Sequence, residues 1–143
     1  MSMHLLFLHR ITRYGVEVTF VNTSNICEVK DALKENTVAV YLATPVHPNL
    51  KISDIELISK EVHVYNEDIT VICDNAFAIL FLQRPLELGA DVIVHSATKY
   101  LNGHGDIISG IVVGEKEFIQ KVKMFGTKDM TGSVLGLNED TLF

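Results

Sequence analysis

Two periods of apolar and polar positions take turns along this chain. In residues 4–14 the apolar side chains Leu5, Leu8 and Ile11 fall at helical spacing, with Arg10 and Arg13 opposite them and Gly15 as a stop. Residues 16–21 (VEVTFV) alternate with period two and predict a strand. The polar turn at 22–25 predicts a cap for a helix over 26–35, with Val29 and Leu33 buried. Residues 37–42 (TVAVYL) predict a second strand, which runs into a loop at 44–49 where two prolines forbid regular structure. Ser53, with Glu56 three residues on, reads as the capping box of a helix over 54–64. Residues 69–73 (ITVIC) predict a strand ending in Asp74-Asn75. A short helix follows at 82–88, with Pro85 in its first turn and Gly89 as its stop. The runs beginning at Val92 and spanning 107–113 predict two further strands, parted by a glycine turn at 103–106. Residues 115–125 predict an amphipathic helix with Phe118, Ile119 and Val122 inward and Lys116, Lys121 and Lys123 outward.

Strands alternating with helices across short connections imply an α/β fold, a mostly parallel sheet flanked by helices. The last strand follows its neighbour with no helix between, so one antiparallel pairing is allowed there.

Composition narrows the picture further. A chain of 143 residues with 48% hydrophobic and 21% charged positions fits one globular domain with a core, not two. A net charge of −6 argues against nucleic acid or an anionic membrane as partner. Cys27 and Cys73 lie far apart without metal or disulfide spacing, and the histidines lack a motif such as HExxH, so no metal site is expected. Residues 1–8 are apolar but short, with no basic leader or cleavage site, and no run is long enough to span a bilayer. A cytoplasmic location with reduced thiols is the expectation.

The chemistry gathers where the Val92 strand ends in His95-Ser96-Ala97-Thr98-Lys99. Two hydroxyls and an amine at the carboxyl end of a strand stand where open α/β sheets place ligands. One reading is a solvated lysine after a turn capped by Ser and Thr. The other is a lysine that bonds covalently to a carbonyl group, with the hydroxyls holding a phosphate. Asp74 ends the strand at 69–73. If the strands run the same way, Asp74 and Lys99 open onto one edge of the sheet. There they form either an exposed ion pair, contributing ~0–1 kcal/mol, or the acid and lysine of a pyridoxal phosphate (PLP) site.

The stretches Asp74-Asn75, LQRPLELGAD at 82–91 and HSATKYLNGHGD at 95–106 resemble the trans-sulfuration family of PLP-dependent enzymes, the group of cystathionine γ-synthase, cystathionine γ-lyase and methionine γ-lyase. Weaker similarity covers most of residues 5–137, and KDMTG at 128–132 is most similar to the methionine γ-lyase branch. The resemblance implies a truncated large domain of the aminotransferase fold type I, spanning 1–143. It makes Lys99 the aldimine lysine and proton shuttle, Asp74 the partner of the pyridinium nitrogen, and Ser96 and Thr98 phosphate ligands. It also implies a carbon–sulfur lyase that takes a small sulfur amino acid and releases a thiol, ammonia and 2-oxobutyrate, in a homo-oligomer built as a dimer of dimers. Cystathionine γ-lyase or γ-synthase specificity is the alternative within the family, and a non-catalytic truncated relative is the alternative outside catalysis.

The sequence departs from the family pattern in places. Its loop reads Ala43-Thr44-Pro45-Val46-His47-Pro48 where the family has Glu-Thr/Ser-Pro-x-Asn-Pro, so His47 stands in for an asparagine that contacts the ring oxygen of the cofactor. Ala76 replaces a threonine, and Ile79-Leu80-Phe81 replaces Thr-Pro-Tyr. The family's Tyr-x-Arg phosphate clamp, its Ser-Gly-Met-type loop, its ring-stacking tyrosine and its substrate-binding C-terminal domain are not expected within this chain.

Overall fold

The structure, a computed structural model, describes residues 3–128, and side chains from residue 5 to residue 126. The KDMTG stretch and the tail beyond it lie outside those limits except for Lys128 at the edge. Four strands, β1 (Ala39–Ala43), β2 (Thr70–Asp74), β3 (Val92–Ser96) and β4 (Gly110–Gly114), are hydrogen-bonded in that order. The pairs β1–β2 and β2–β3 are parallel and β3–β4 is antiparallel. The sheet is thus mixed, and its one antiparallel pairing falls where no crossover helix separates the strands.

Among the described residues five helices flank it: α1 (Met3–His9), α2 (Ile26–Ala32), α3 (Ile55–Tyr65), the single turn α4 (Ile79–Leu82) and α5 (Lys116–Lys128), with 3₁₀ turns at Ile11–Tyr14 and Pro85–Leu88. The core lies on one face of the sheet. There Val29 of α2 and Ile55, Ile58 and Val62 of α3 close over Leu42, Val71 and Cys73. Each such side chain contributes about 1.5–3 kcal/mol by leaving water. Strand alternation then fixes the other face. Val71 and Cys73 are fully buried, while Ile72 and Asp74, one residue out of phase, are only partly covered. On that second face Phe7 of α1 meets Tyr41 edge-on, with ring centroids 5.1 Å apart.

Several local expectations change. Residues 16–21 form no strand: the segment joins no ladder among the described residues, and Val16 and Phe20 are exposed. Alternation supplies the faces of a strand, but a strand exists only beside a partner. The first helix ends at His9 and resumes as the 3₁₀ turn, stopped by left-handed Gly15. Leu5 and Leu8 stay exposed while Phe7 makes the contact with the sheet. The cap of α3 is Asp54, whose carboxylate accepts from Leu57 N at 3.0 Å. Its charge suits the helix N-terminus. Ser53 is buried instead, bonded to the Thr44 and Thr23 hydroxyls. The helix placed at 82–88 divides at Gln83 and Arg84, because a residue preceding proline is pushed out of the helical region. The strand placed at 107–113 begins only at Gly110, and Val122 of α5 is 38% exposed rather than inward.

Gly89 closes the second 3₁₀ turn at φ 87°, and a Cβ there would sit 3.2 Å from Ser59 Cβ. Gly89→Ala is therefore expected to lower stability by about 1–2 kcal/mol, mainly through the left-handed backbone. Urea denaturation checks this, and an unchanged midpoint would contradict it.

Candidate active site

The parallel strands β1, β2 and β3 all end at one rim, and the candidate residues follow those ends. Asp74 is the last residue of β2. It lies in register with Ala43 of β1 and Val94 of β3. Ser96, two residues beyond Val94, therefore shares its sheet face with Asp74. Lys99 follows in a π-helical turn, Ala97–Leu101, whose regular path breaks at Lys99 itself (φ −92°, ψ −119°). Such turns recur at functional sites. His47 reaches the same region from the loop after β1, in which the Thr44–Pro45 and His47–Pro48 peptides are cis. Its ring stacks on Phe77 with centroids 5.4 Å apart and planes 16° apart. The Lys99 ammonium lies 4.6 Å from the centroid of the same ring.

Both oxygens of Asp74 have donors. Ala76 N–H donates to Oδ1 at 3.0 Å, and the Tyr41 hydroxyl donates to Oδ2 at 2.9 Å. Burial, and then the charge of Asp74, push the Tyr41 phenol well above its ordinary range, so it keeps its proton for that bond. Behind the rim, fully buried Asn75 exchanges bonds with Gln83: its side-chain nitrogen donates to Gln83 O at 3.0 Å, and Gln83 Nε2 donates to Asn75 Oδ1 at 2.9 Å. Gln83 also donates to Thr44 O at 3.3 Å, and His95 Nδ1 lies 3.2 Å from Asn75 O. The network locks the ends of three strands together.

The two hydroxyls differ. Ser96 Oγ makes no hydrogen bond among the described residues, whereas Thr98 Oγ1 donates to Ser109 O at 3.2 Å and accepts from Ser109 N–H at 2.9 Å. Ser96 has its proton available to an incoming anion, and the proton of Thr98 is already engaged. Nothing in the sequence pattern marks Tyr41, Phe77 or Gln83 as site residues. A tyrosine in an apolar strand reads as core, and only the pairing of β1 with β2 brings it to Asp74 across 33 positions. His104, by contrast, is the turn residue its glycine neighbours suggest, with Nδ1 3.0 Å from Asn102 O.

Cys73, next to Asp74 but on the opposite face, is packed in the core. Burial and then the adjacent carboxylate push its thiol up to about 12. The folded chain keeps a proton that the unfolded chain loses above 9.0. That contribution to stability is intact below pH 9 and is lost as pH rises toward 12. A thiol reagent near neutral pH is expected to label exposed Cys27 quickly and Cys73 only on unfolding. Equal rates in the folded chain would contradict the packing.

A carboxylate, an amine and a free hydroxyl on one rim form the donor set that a pyridinium ring with an aldehyde and a phosphate requires, so the residues present fit such a group. Comparison with known proteins agrees. The pattern of the family described as Cys/Met metabolism PLP-dependent enzyme matches residues 2–142. The chain is 58% identical over 134 residues to the L-methionine gamma-lyase of Fusobacterium nucleatum, covering 94% of this chain and 34% of that protein. It is 41% identical to the cystathionine gamma-lyase of Bacillus subtilis, covering 92% of this chain and 34% of that protein. Its fold matches the crystal structure of metB from Corynebacterium glutamicum with a TM-score of 0.81 at 38% identity, over 89% of this chain and 32% of that one. The chain thus spans about a third of the length of the relatives it matches. Among the described residues no helix is long and apolar enough to cross a membrane.

Proposed function

This chain belongs to the Cys/Met metabolism PLP-dependent enzyme family, and on that premise we propose that it supplies the cofactor-binding part of a carbon–sulfur lyase of the methionine γ-lyase kind. The observation that carries the proposal is the parallel pairing of β2 with β3, which opens Asp74 and Lys99 onto one rim. In this reading residues 1–143 are part of a larger PLP-binding domain, working in a cytoplasmic homo-oligomer. Higher identity to the methionine enzyme than to the cystathionine enzyme supports the former specificity.

When bound, pyridoxal 5'-phosphate supplies a ring that accepts the electrons released as bonds to the substrate's α-carbon break. Lys99 Nζ is the amine that holds it and, once free, the base that carries protons between substrate carbons. Asp74 holds a proton on the ring nitrogen, and Tyr41 and the Ala76 N–H fix the carboxylate for that task. Ser96 donates to the phosphate. Thr98 joins it only by giving up its bond to Ser109 O. His47, on the loop after β1, would donate to the cofactor's ring oxygen. The net reaction consumes methionine and water and yields methanethiol, ammonia and 2-oxobutyrate.

The engaged Thr98 hydroxyl and the His47 and Ala76 replacements favour a second reading, a family member that binds the cofactor without turnover. Mixing the purified chain with PLP tests the binding step common to both. A visible absorption band and, after borohydride, a pyridoxyl group on Lys99 are expected. A group scattered over surface lysines would refute the site. Methanethiol release from methionine then separates lyase from binder.

A further inference from the structure

The aromatic ring between His47 and Lys99 has no part in the roles assigned above. We infer that Phe77 is a positioning residue of this site, a fixed surface that orients the Lys99 amine before it reacts and the His47 imidazole beside it. The inference rests on the reading of Lys99 as the cofactor-holding amine.

The backbone explains why this ring is a reliable platform. Phe77 lies three residues past the end of β2. The intervening chain is tied at every step: Asp74 Oδ1 takes the Ala76 N–H, Asn75 N–H donates to Val94 O, and the Asn75 side chain is gripped by Gln83. Ala76 is buried, so the backbone carrying Phe77 has little freedom to drift. Side chains from two other loops converge on the ring. His47 stacks at 16°, Tyr100 approaches edge-on with centroids 6.2 Å apart, and the ammonium of Lys99 stands 4.6 Å from the centroid. Lysine is the floppiest of these side chains, and a cation over a ring face is drawn to the ring's negative quadrupole. The contact favours, among many lysine rotamers, those that keep Nζ over the Phe77 ring.

The contact can be read without cofactor. Reductive methylation with ¹³C-formaldehyde turns each lysine into a dimethylammonium that keeps its charge, and the Lys99 signal is assigned by its absence in Lys99→Arg. In the wild-type chain that signal is expected upfield of the other lysines, displaced by the ring current of Phe77. It should rejoin them in Phe77→Leu and stay displaced in Phe77→Tyr. On unmethylated protein, PLP and borohydride give the second readout. The amine displaces the aldehyde oxygen as water, and hydride fixes the link as a secondary amine. The share of pyridoxyl on Lys99, relative to other lysines, should fall about two- to fivefold in Phe77→Leu, the population change an exposed cation–ring contact sustains. Phe77→Tyr should retain the wild-type share.

An undisplaced Lys99 signal in the wild-type chain overturns the inference. So does a Phe77→Leu chain with the wild-type share of adduct; either result leaves the cofactor reading standing. A displaced signal with no Lys99 adduct in the wild-type chain refutes the cofactor reading instead, and the positioning role falls with it.

Discussion

Lys99→Ala is expected to abolish covalent attachment of PLP and the visible absorption that accompanies it. Lys99 follows the end of β3 and lies over the Phe77 ring, whereas Lys30 pairs with Glu61 on the helical side of the sheet and Lys121 pairs with Glu117 on α5. Surface amines that react with the aldehyde do so without a partner for the ring nitrogen or a hydroxyl for the phosphate, so their adducts remain scattered. Mass spectrometry after borohydride reads the result directly. The variant should fold as the wild type does, because Lys99 is exposed, its ammonium lies against the face of Phe77, and the bond its carbonyl accepts from Gly103 N–H does not depend on the side chain. A folded Lys99→Ala chain that still carries one pyridoxyl group at a single position would show that another lysine holds the cofactor.

The largest effect on stability is expected from Ile58→Ala. Ile58 is 1% exposed on the inner side of α3, in the cluster that joins α2 and α3 to the sheet. Removing its buried carbons costs their transfer energy and leaves a cavity that the strands beneath cannot close, about 2–5 kcal/mol in all. That is a large part of the 5–15 kcal/mol that typically holds a domain folded. Val64, 76% exposed on the same helix, provides the control. Val64→Ala should shift the urea midpoint little, by about 0.5 kcal/mol or less. Equal shifts for the two variants would mean that α3 does not pack as described.

Much of this arrangement can be read from the residues alone. The β-branched runs at Val40, Val71 and Ile93 mark the parallel strands, and the chemistry-bearing residues stand directly after two of them, where an α/β sheet opens. Other features depend on partners far along the chain. The alternation in VEVTFV is as regular as that of the true strands, yet no ladder forms among the described residues. Asp54 displaced Ser53 as the cap because Ser53 was needed to tie Thr23 to Thr44, a long-range demand that local sequence does not carry. Tyr41 and Phe77 read as apolar filler because their partners, Asp74 and Lys99, lie 33 and 22 positions away and meet them only once the strands are in register.

The phase of β2 carries a consequence of its own. Cys73 and Asp74 are consecutive, so one five-residue strand presents a thiol to the core and a carboxylate to the rim. Sliding that strand by a single position would bury the acid among aliphatic side chains and expose the thiol in its place. Neither half could tolerate the exchange: the interior would hold an unpaired charge, and the rim would lose its acid. Slippage is thus opposed from both sides at once.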